Sequence, residues 1–318
     1  MLAQVAEYAD AHPELDWIAM AGFPVEIYGR TGPHKRELDR VVPDRPVYLV
    51  GNTGHSRWFN SRALEIMGLD RDTPDAAPDL SYFARDPDGE LTGWVMEWAF
   101  APYLDPFLKA DLEANRAGIA HFLDYLSSLG VTTVFDGGNR WYADEVTPLL
   151  AELDRSGRLP VRYEGTYHIF VPEQLPGAID DLKRMRRSLE GERLKFNTLK
   201  IHFDGIHEIR TGAVLEPYSD DPDNLGNTLI DEDALTALIL ELHEARLDLQ
   251  LHCIGDRAIR VALNAVERAR ETLDEPLYTR VALLHLEVVD PADYPRFSEL
   301  GVFANFTPAW HAHWEVDL

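Results

Sequence analysis

Strand-like and helix-like stretches alternate along the last two thirds of the chain. Apolar or alternating runs at residues 131–136, 161–167, 198–204, 248–254, 282–287 and 302–306 predict six short strands. Amphipathic helices fall between them. Asp231 is placed to cap one whose Leu235, Leu238, Ile239 and Leu242 share a face, and Ile259, Ala262, Leu263 and Val266 repeat the spacing in the next. Such alternation predicts a parallel sheet with right-handed crossovers. Six successive units suit a (β/α)₈ barrel, with an open doubly wound sheet as the alternative.

The first third follows another pattern. Residues 2–12 read as a helix, 17–23 and 47–52 as strands, and 68–93 as a stretch rich in Asp, Pro and Gly. The expected organisation is therefore an excursion over residues 1–105 that covers the mouth of a barrel built from 106–318.

Alternation also sorts the candidate chemistry. In the run TLKIHFD (198–204), Leu199, Ile201 and Phe203 fall on one face, and Lys200, His202 and Asp204 on the other, which points inward in a barrel. A lysine there is costly unless it is paired, for example with Asp204, or chemically employed as a Schiff-base nucleophile or a carboxylated metal ligand. His252 and His285 end the next two strand-like runs, where barrel enzymes place catalytic groups. Imidazole is the commonest metal ligand, so two strand-end histidines following an inward lysine point to a metal site. Asp256 reads as a helix cap or a site residue. His55, Glu97 and His311 are further candidates for lining a substrate cleft; the structural alternatives are loop hydrogen bonding, a surface acid and a solvent-exposed ring.

Composition narrows the setting. With 318 residues and 45% hydrophobic content the chain can bury a large core. Its net charge of −25 disfavours nucleic acid as a partner. No apolar run reaches the roughly 18 residues of a membrane span, and the N-terminus carries no signal-peptide pattern. The single cysteine, Cys253, excludes an internal disulfide and fits a reducing compartment, so a cytoplasmic location is expected.

Several segments resemble the amidohydrolase superfamily, in particular the amidohydrolase family 3 branch related to YtcJ and N-substituted formamide deformylase. In chain order they are RPVYL (45–49), GHSRWFNSRAL (54–64), TGWVME (92–97), GVTTVFD (130–136), LKIHFDG (199–205), HCIGDRA (252–258), LHLE (284–287) and LGVFANFTP (300–308). The resemblance implies a TIM-type (β/α)₈ barrel that binds one or two divalent metals, zinc above all, and hydrolyses carbon–nitrogen bonds of amides or formamides. It implies that Lys200, often carboxylated in the family, and His252 and His285 are metal ligands. It also implies elements beyond this chain: a His-x-His pair on strand one before residue 1, an Asp on strand eight after Leu318, and a small β-sandwich. The one His-x-His present, His311 with His313, follows the strand-seven segment. An incomplete barrel lacking strands one and eight is therefore expected, prone to self-association at its open edge. Two other functions stay open at this point: an inactive barrel fragment that serves as a binding module, and a lyase that uses Lys200 as a Schiff base.

Overall fold

A computed structural model describes residues 1–108, 111–138 and 143–308, the side chains of 143–146 excepted. His311 lies outside the described residues. The chain forms two compact units. The first gathers Met1–Leu108, Asp204–Leu229 and Ile254–Ala258, and the second Lys109–Phe203, Ile230–Cys253 and Ile259–Leu318.

The first unit holds the helices α1 (Leu2–Ala11), α2 (Lys35–Val41), α3 (Ser61–Met67) and α4 (Ala101–Leu104). Its strands are β1 (Ile18–Phe23), β2 (Val47–Gly51), β3 (Ser56–Phe59), β4 (Phe83–Arg85) and β5 (Leu91–Met96). They form one mixed sheet in the order β1-β2-β3-β5-β4, parallel only between β1 and β2. Two apolar clusters build this unit, one around Ile18, Leu38, Trp58 and Met96, the other around Phe59, Leu64, Val95 and Phe100. Sequence reading finds only β1 and β2. It misses β3 and β5 because every side chain of these strands is buried, which removes the polar–apolar alternation that marks a half-exposed strand.

The second unit is an α/β layer. Its helices are α5 (Leu112–Ser128), α6 (Ala143–Arg155), α7 (Ala178–Leu189), α8 (Glu232–Ala245), α9 (Asp256–Thr272, whose residues up to Ala258 belong to the first unit) and α10 (Tyr294–Leu300). Its strands are β6 (Thr133–Phe135), β7 (Arg162–Ile169), β8 (Leu194–Ile201), β9 (Asp248–Cys253), β10 (Val281–His285) and β11 (Phe303–Phe306). All pair in parallel, in strict chain order from β6 to β11. A doubly wound sheet reverses its order at a switch point; none occurs here, so right-handed crossovers carry the helices to one face. The sheet is curled into a half barrel. Asp231 caps α8 by accepting the Ala234 N–H at 2.8 Å, as its position predicts. Leu235, Ile239 and Leu242 of α8 and Ile259, Ala262, Leu263 and Val266 of α9 are buried, each large side chain stabilising the fold by about 1.5–3 kcal/mol. Exposed aromatics mark the edge strands: Phe135 on β6, Phe303 and Phe306 on β11. Among the described residues no helix is long and apolar enough to cross a membrane.

One irregularity decides which way the site faces. Gly165 pairs with Phe196, but Thr166 pairs with Thr198, so Asn197 is an extra residue in β8. Such a bulge flips the side-chain phase of everything after it. Phe196 therefore stands on the Gly165 side, while Thr198 and Lys200 stand on the other. A Cβ on Gly165 would lie 2.3 Å from the Phe196 ring, so glycine is what lets that ring pack there. The bulge also corrects the predicted boundaries. The strand begins at Leu194, four residues earlier than the alternation indicates, and ends at Ile201, before Asp204.

Candidate metal centre

Parallel register aligns the inner face of the second unit in layers. His168 on β7, Lys200 on β8, Gln250 on β9 and Ala282 on β10 are register partners and share one face. The next layer holds His202 and His252. The His202 N–H donates to the Ile169 carbonyl at 2.8 Å and so extends the β7–β8 ladder one residue past β8. The His202 and His252 rings stack, with centroids 4.3 Å apart and planes 15° apart, and each offers a ring nitrogen within 4.8 Å of the other's. His168 lies 6.4 Å from His202, centroid to centroid. Lys200, His202 and His252 are all buried.

His285 reaches this group by an unusual route. Its register partner is Cys253, which puts it on the opposite phase from His252. Its φ of 79°, followed by 55° at Leu286, is left-handed backbone that a side chain other than glycine adopts at a cost. The turn brings the ring edge-on to His252, with centroids 4.6 Å apart at 75°. His285 Nδ1 is 2.7 Å from the Thr307 hydroxyl, a contact that fixes the plane of the ring.

Around the β6 end, Asp136 Oδ1 accepts the Gly138 N–H at 2.9 Å. Burial raises the Asp136 carboxyl above its ordinary range, against the pull of the Gly138 N–H, the Tyr163 hydroxyl and the Lys200 charge. Gly138 has φ 121°, and a Cβ there would sit 2.5 Å from His168 Nδ1; its bareness makes room for that ring.

In the first unit, antiparallel pairing of Ser56 with Met96 brings the flanking residues His55 and Glu97 together. Glu97 N–H donates to the His55 carbonyl at 2.7 Å, and Glu97 Oε2 lies 2.7 Å from His55 Nδ1. The Thr211 hydroxyl donates to Glu97 Oε1 at 2.7 Å. Glu97 is not a surface acid: it is 1% exposed and holds a left-handed φ of 48°. Burial pushes the His55 pKa down, but the Glu97 charge and hydrogen bond outweigh it, and the net shift is upward.

Asp204 also belongs to this unit, fully buried. It accepts N–H groups from Ile254 on Oδ1 and from Ala213 and Gly255 on Oδ2 at 2.9–3.0 Å. Burial pushes its carboxyl up to about 7 against those donors. Asp256 is the first residue of α9, and its Oδ1 accepts the Leu215 N–H at 2.8 Å. Its carboxylate thus fastens a loop.

Of the residues singled out from sequence, the structure clusters His252 and His285 and sets Lys200 one layer below on the same face. It pairs His55 with Glu97. It adds His202 and His168 to the first group. His202 was visible in the inward alternation. His168 was missed because the predicted strand stopped at Tyr167, one residue short of it.

Comparison with known proteins gives this geometry a lineage. The YtcJ protein of Bacillus subtilis (strain 168) is 29% identical over 96% of this chain and 56% of its own length. The N-substituted formamide deformylase of Arthrobacter pascens is 25% identical over 98% of this chain and 58% of its own. The chain thus spans little more than half the length of either. Among solved structures, an uncharacterised metal-dependent hydrolase from Pyrococcus furiosus superposes with a TM-score of 0.59 at 25% identity, covering 97% of this chain and 59% of that one. The family profile described as "Amidohydrolase family" matches residues 1–317. The chain belongs to that family, in the family 3 branch that its motifs resemble.

Proposed function

We propose that the chain works as a metal-dependent hydrolase that cleaves the carbon–nitrogen bond of an amide or an N-substituted formamide. The observation that carries this reading is the meeting of three imidazoles, His202, His252 and His285, at the ends of adjacent parallel strands, with Lys200 on the same inner face. The ring nitrogens of His202 and His252, within 4.8 Å of each other, suit one divalent cation, and His285, beside His252, would join them by a small turn of its ring; zinc is among the ions that imidazole donors suit. His252 and His285 serve as ligands and His202 completes the nitrogen set. A buried ammonium beside such donors would repel a cation; carboxylation converts Lys200 into an anion that binds one instead. A bound divalent ion supplies Lewis acidity, making water nucleophilic near neutral pH and polarising the substrate carbonyl.

The protein's own contribution is orientation. Thr307 holds the His285 ring, and stacking holds His202 against His252, so the orientation of each ring is fixed by its neighbours. The formamide class comes from the deformylase that this chain resembles over 98% of its residues.

The test is metal analysis and turnover of N-substituted formamides and simple amides by protein stripped with a chelator and then reconstituted with zinc. Retained zinc and zinc-dependent release of amine are expected. Protein that binds no divalent metal, or turnover indifferent to chelation, would overturn the reading.

A further inference from the structure

Gln250 stands in the middle of the inner face. It is 1% exposed and in register with Lys200 on one side and Ala282 on the other. Registered side chains on neighbouring strands project to the same face, so Gln250 and Lys200 are neighbours on it, with the Ala282 methyl group at the other flank of Gln250. Its carbonyl Oε1 is buried and has no hydrogen-bond partner among the described residues. A buried amide oxygen without a donor carries a real cost, and folded proteins keep such groups where something is meant to meet them.

We propose that Gln250 is a positioning residue for Lys200: its Oε1 accepts the one N–H that remains on Nζ once that nitrogen is carboxylated. The inference rests on the proposed carboxylation of Lys200. In that step the lysine ammonium loses a proton, its lone pair attacks carbon dioxide to form an N–C bond, and a second proton leaves. The product is a carbamate with two oxygens sharing one negative charge and a single N–H. With both oxygens serving as metal ligands, the N–H would need an acceptor elsewhere. That acceptor has to be neutral, because a carboxylate would repel the carbamate and favour the ammonium. A glutamine meets both requirements, and a glutamate of the same length meets only the first. Gln250 thereby selects the anionic form of Lys200 and fixes its plane.

The experiment is ¹³C NMR of zinc-loaded protein equilibrated with ¹³C-bicarbonate, together with zinc content, for the unmodified protein and for Lys200→Ala, Gln250→Glu and Gln250→Met. Near-UV circular dichroism checks that each variant is folded. A carbamate resonance is expected in the unmodified protein and absent in Lys200→Ala. In Gln250→Glu it should fall about 10-fold or more, with a parallel loss of zinc, as other changes around a metal ligand do. Gln250→Met keeps the volume without the acceptor and should lose part of both; it decides the matter if the glutamate variant does not fold. A full resonance in folded Gln250→Met, or in both Gln250 variants, overturns the role of Gln250 and leaves carboxylation standing. No resonance in the unmodified protein overturns the carboxylation itself, and the inference with it.

Discussion

The imidazoles of His202 and His252 lie face to face, 4.3 Å between centroids, on neighbouring strands of a parallel sheet. Two parallel rings in this position present nitrogens to one volume, so a cation bound by one is within reach of the other. His202→Ala should therefore weaken zinc binding about 10-fold or more, as His252→Ala and His285→Ala should. Competition with a chromophoric chelator measures this. Unchanged affinity in His202→Ala, beside a loss in the other two, would reduce His202 to a packing partner.

Glu97 should control the titration of His55. Its charge and hydrogen bond raise the imidazole's pKa, while burial alone would lower it. In Glu97→Gln, an NMR titration should find the His55 midpoint moved down. The stability from this pair is full below the unfolded value of about 6.5 and is lost as pH rises through the raised folded value. The substitution should thus cost more at pH 6 than at pH 9, by up to about 1.5–3 kcal/mol for a charged hydrogen bond. Equal costs at both pH values would show that the pair does not ionise as described.

Asp204 shifts in the same direction for a different reason: burial raises its carboxyl to about 7. Between its unfolded value near 4 and that point the folded state holds a proton that the unfolded chain has released, so stability falls as pH rises across the window. Asp204→Asn should remove this slope. It should also cost about 2 kcal/mol near pH 5, because one of the three N–H donors then faces an amide NH₂. Urea melts of both proteins at pH 5 and pH 8 check it; parallel pH profiles would contradict it.

Gly165→Ala tests the bulge. The added methyl would collide with the Phe196 ring and should destabilise by about 1–3 kcal/mol. Phe196→Leu in the same chain should recover part of that loss, since the two sites are in contact. Strict additivity of the two costs would mean that the ring does not fill the space that Gly165 leaves.

Much of this arrangement can be read directly from residue patterns, and the omissions have physical causes. The apolar stripes of α8 and α9 and the Asp231 cap follow from helical periodicity, and the strands between the helices from short runs that are apolar or alternate polar with apolar residues, as in β9. Periodicity failed where both faces are buried, as in β3 and β5, and where the phase jumps, as at Asn197. Lys200, His252 and His285 stood out because charged or ligating residues at apolar strand ends are conspicuous. The approach of His285 to His252 was not foreseeable from spacing, since it depends on a left-handed φ. The pairing of His55 with Glu97 likewise depends on an antiparallel register between residues 42 positions apart.

The route of the backbone has a last consequence. It passes from one unit to the other after Leu108, Phe203, Leu229, Cys253 and Ala258. On the ribosome, β7 and β8 can pair as soon as both have emerged, but the first unit stays unfinished until residue 258 is made. Its sheet, complete at Met96, must wait for Asp204 and for the Ile254 and Gly255 amides that meet this carboxylate. Recombination meets the same obstacle, because no single contiguous exchange can replace one unit without carrying away part of the other. The two units are made together and inherited together.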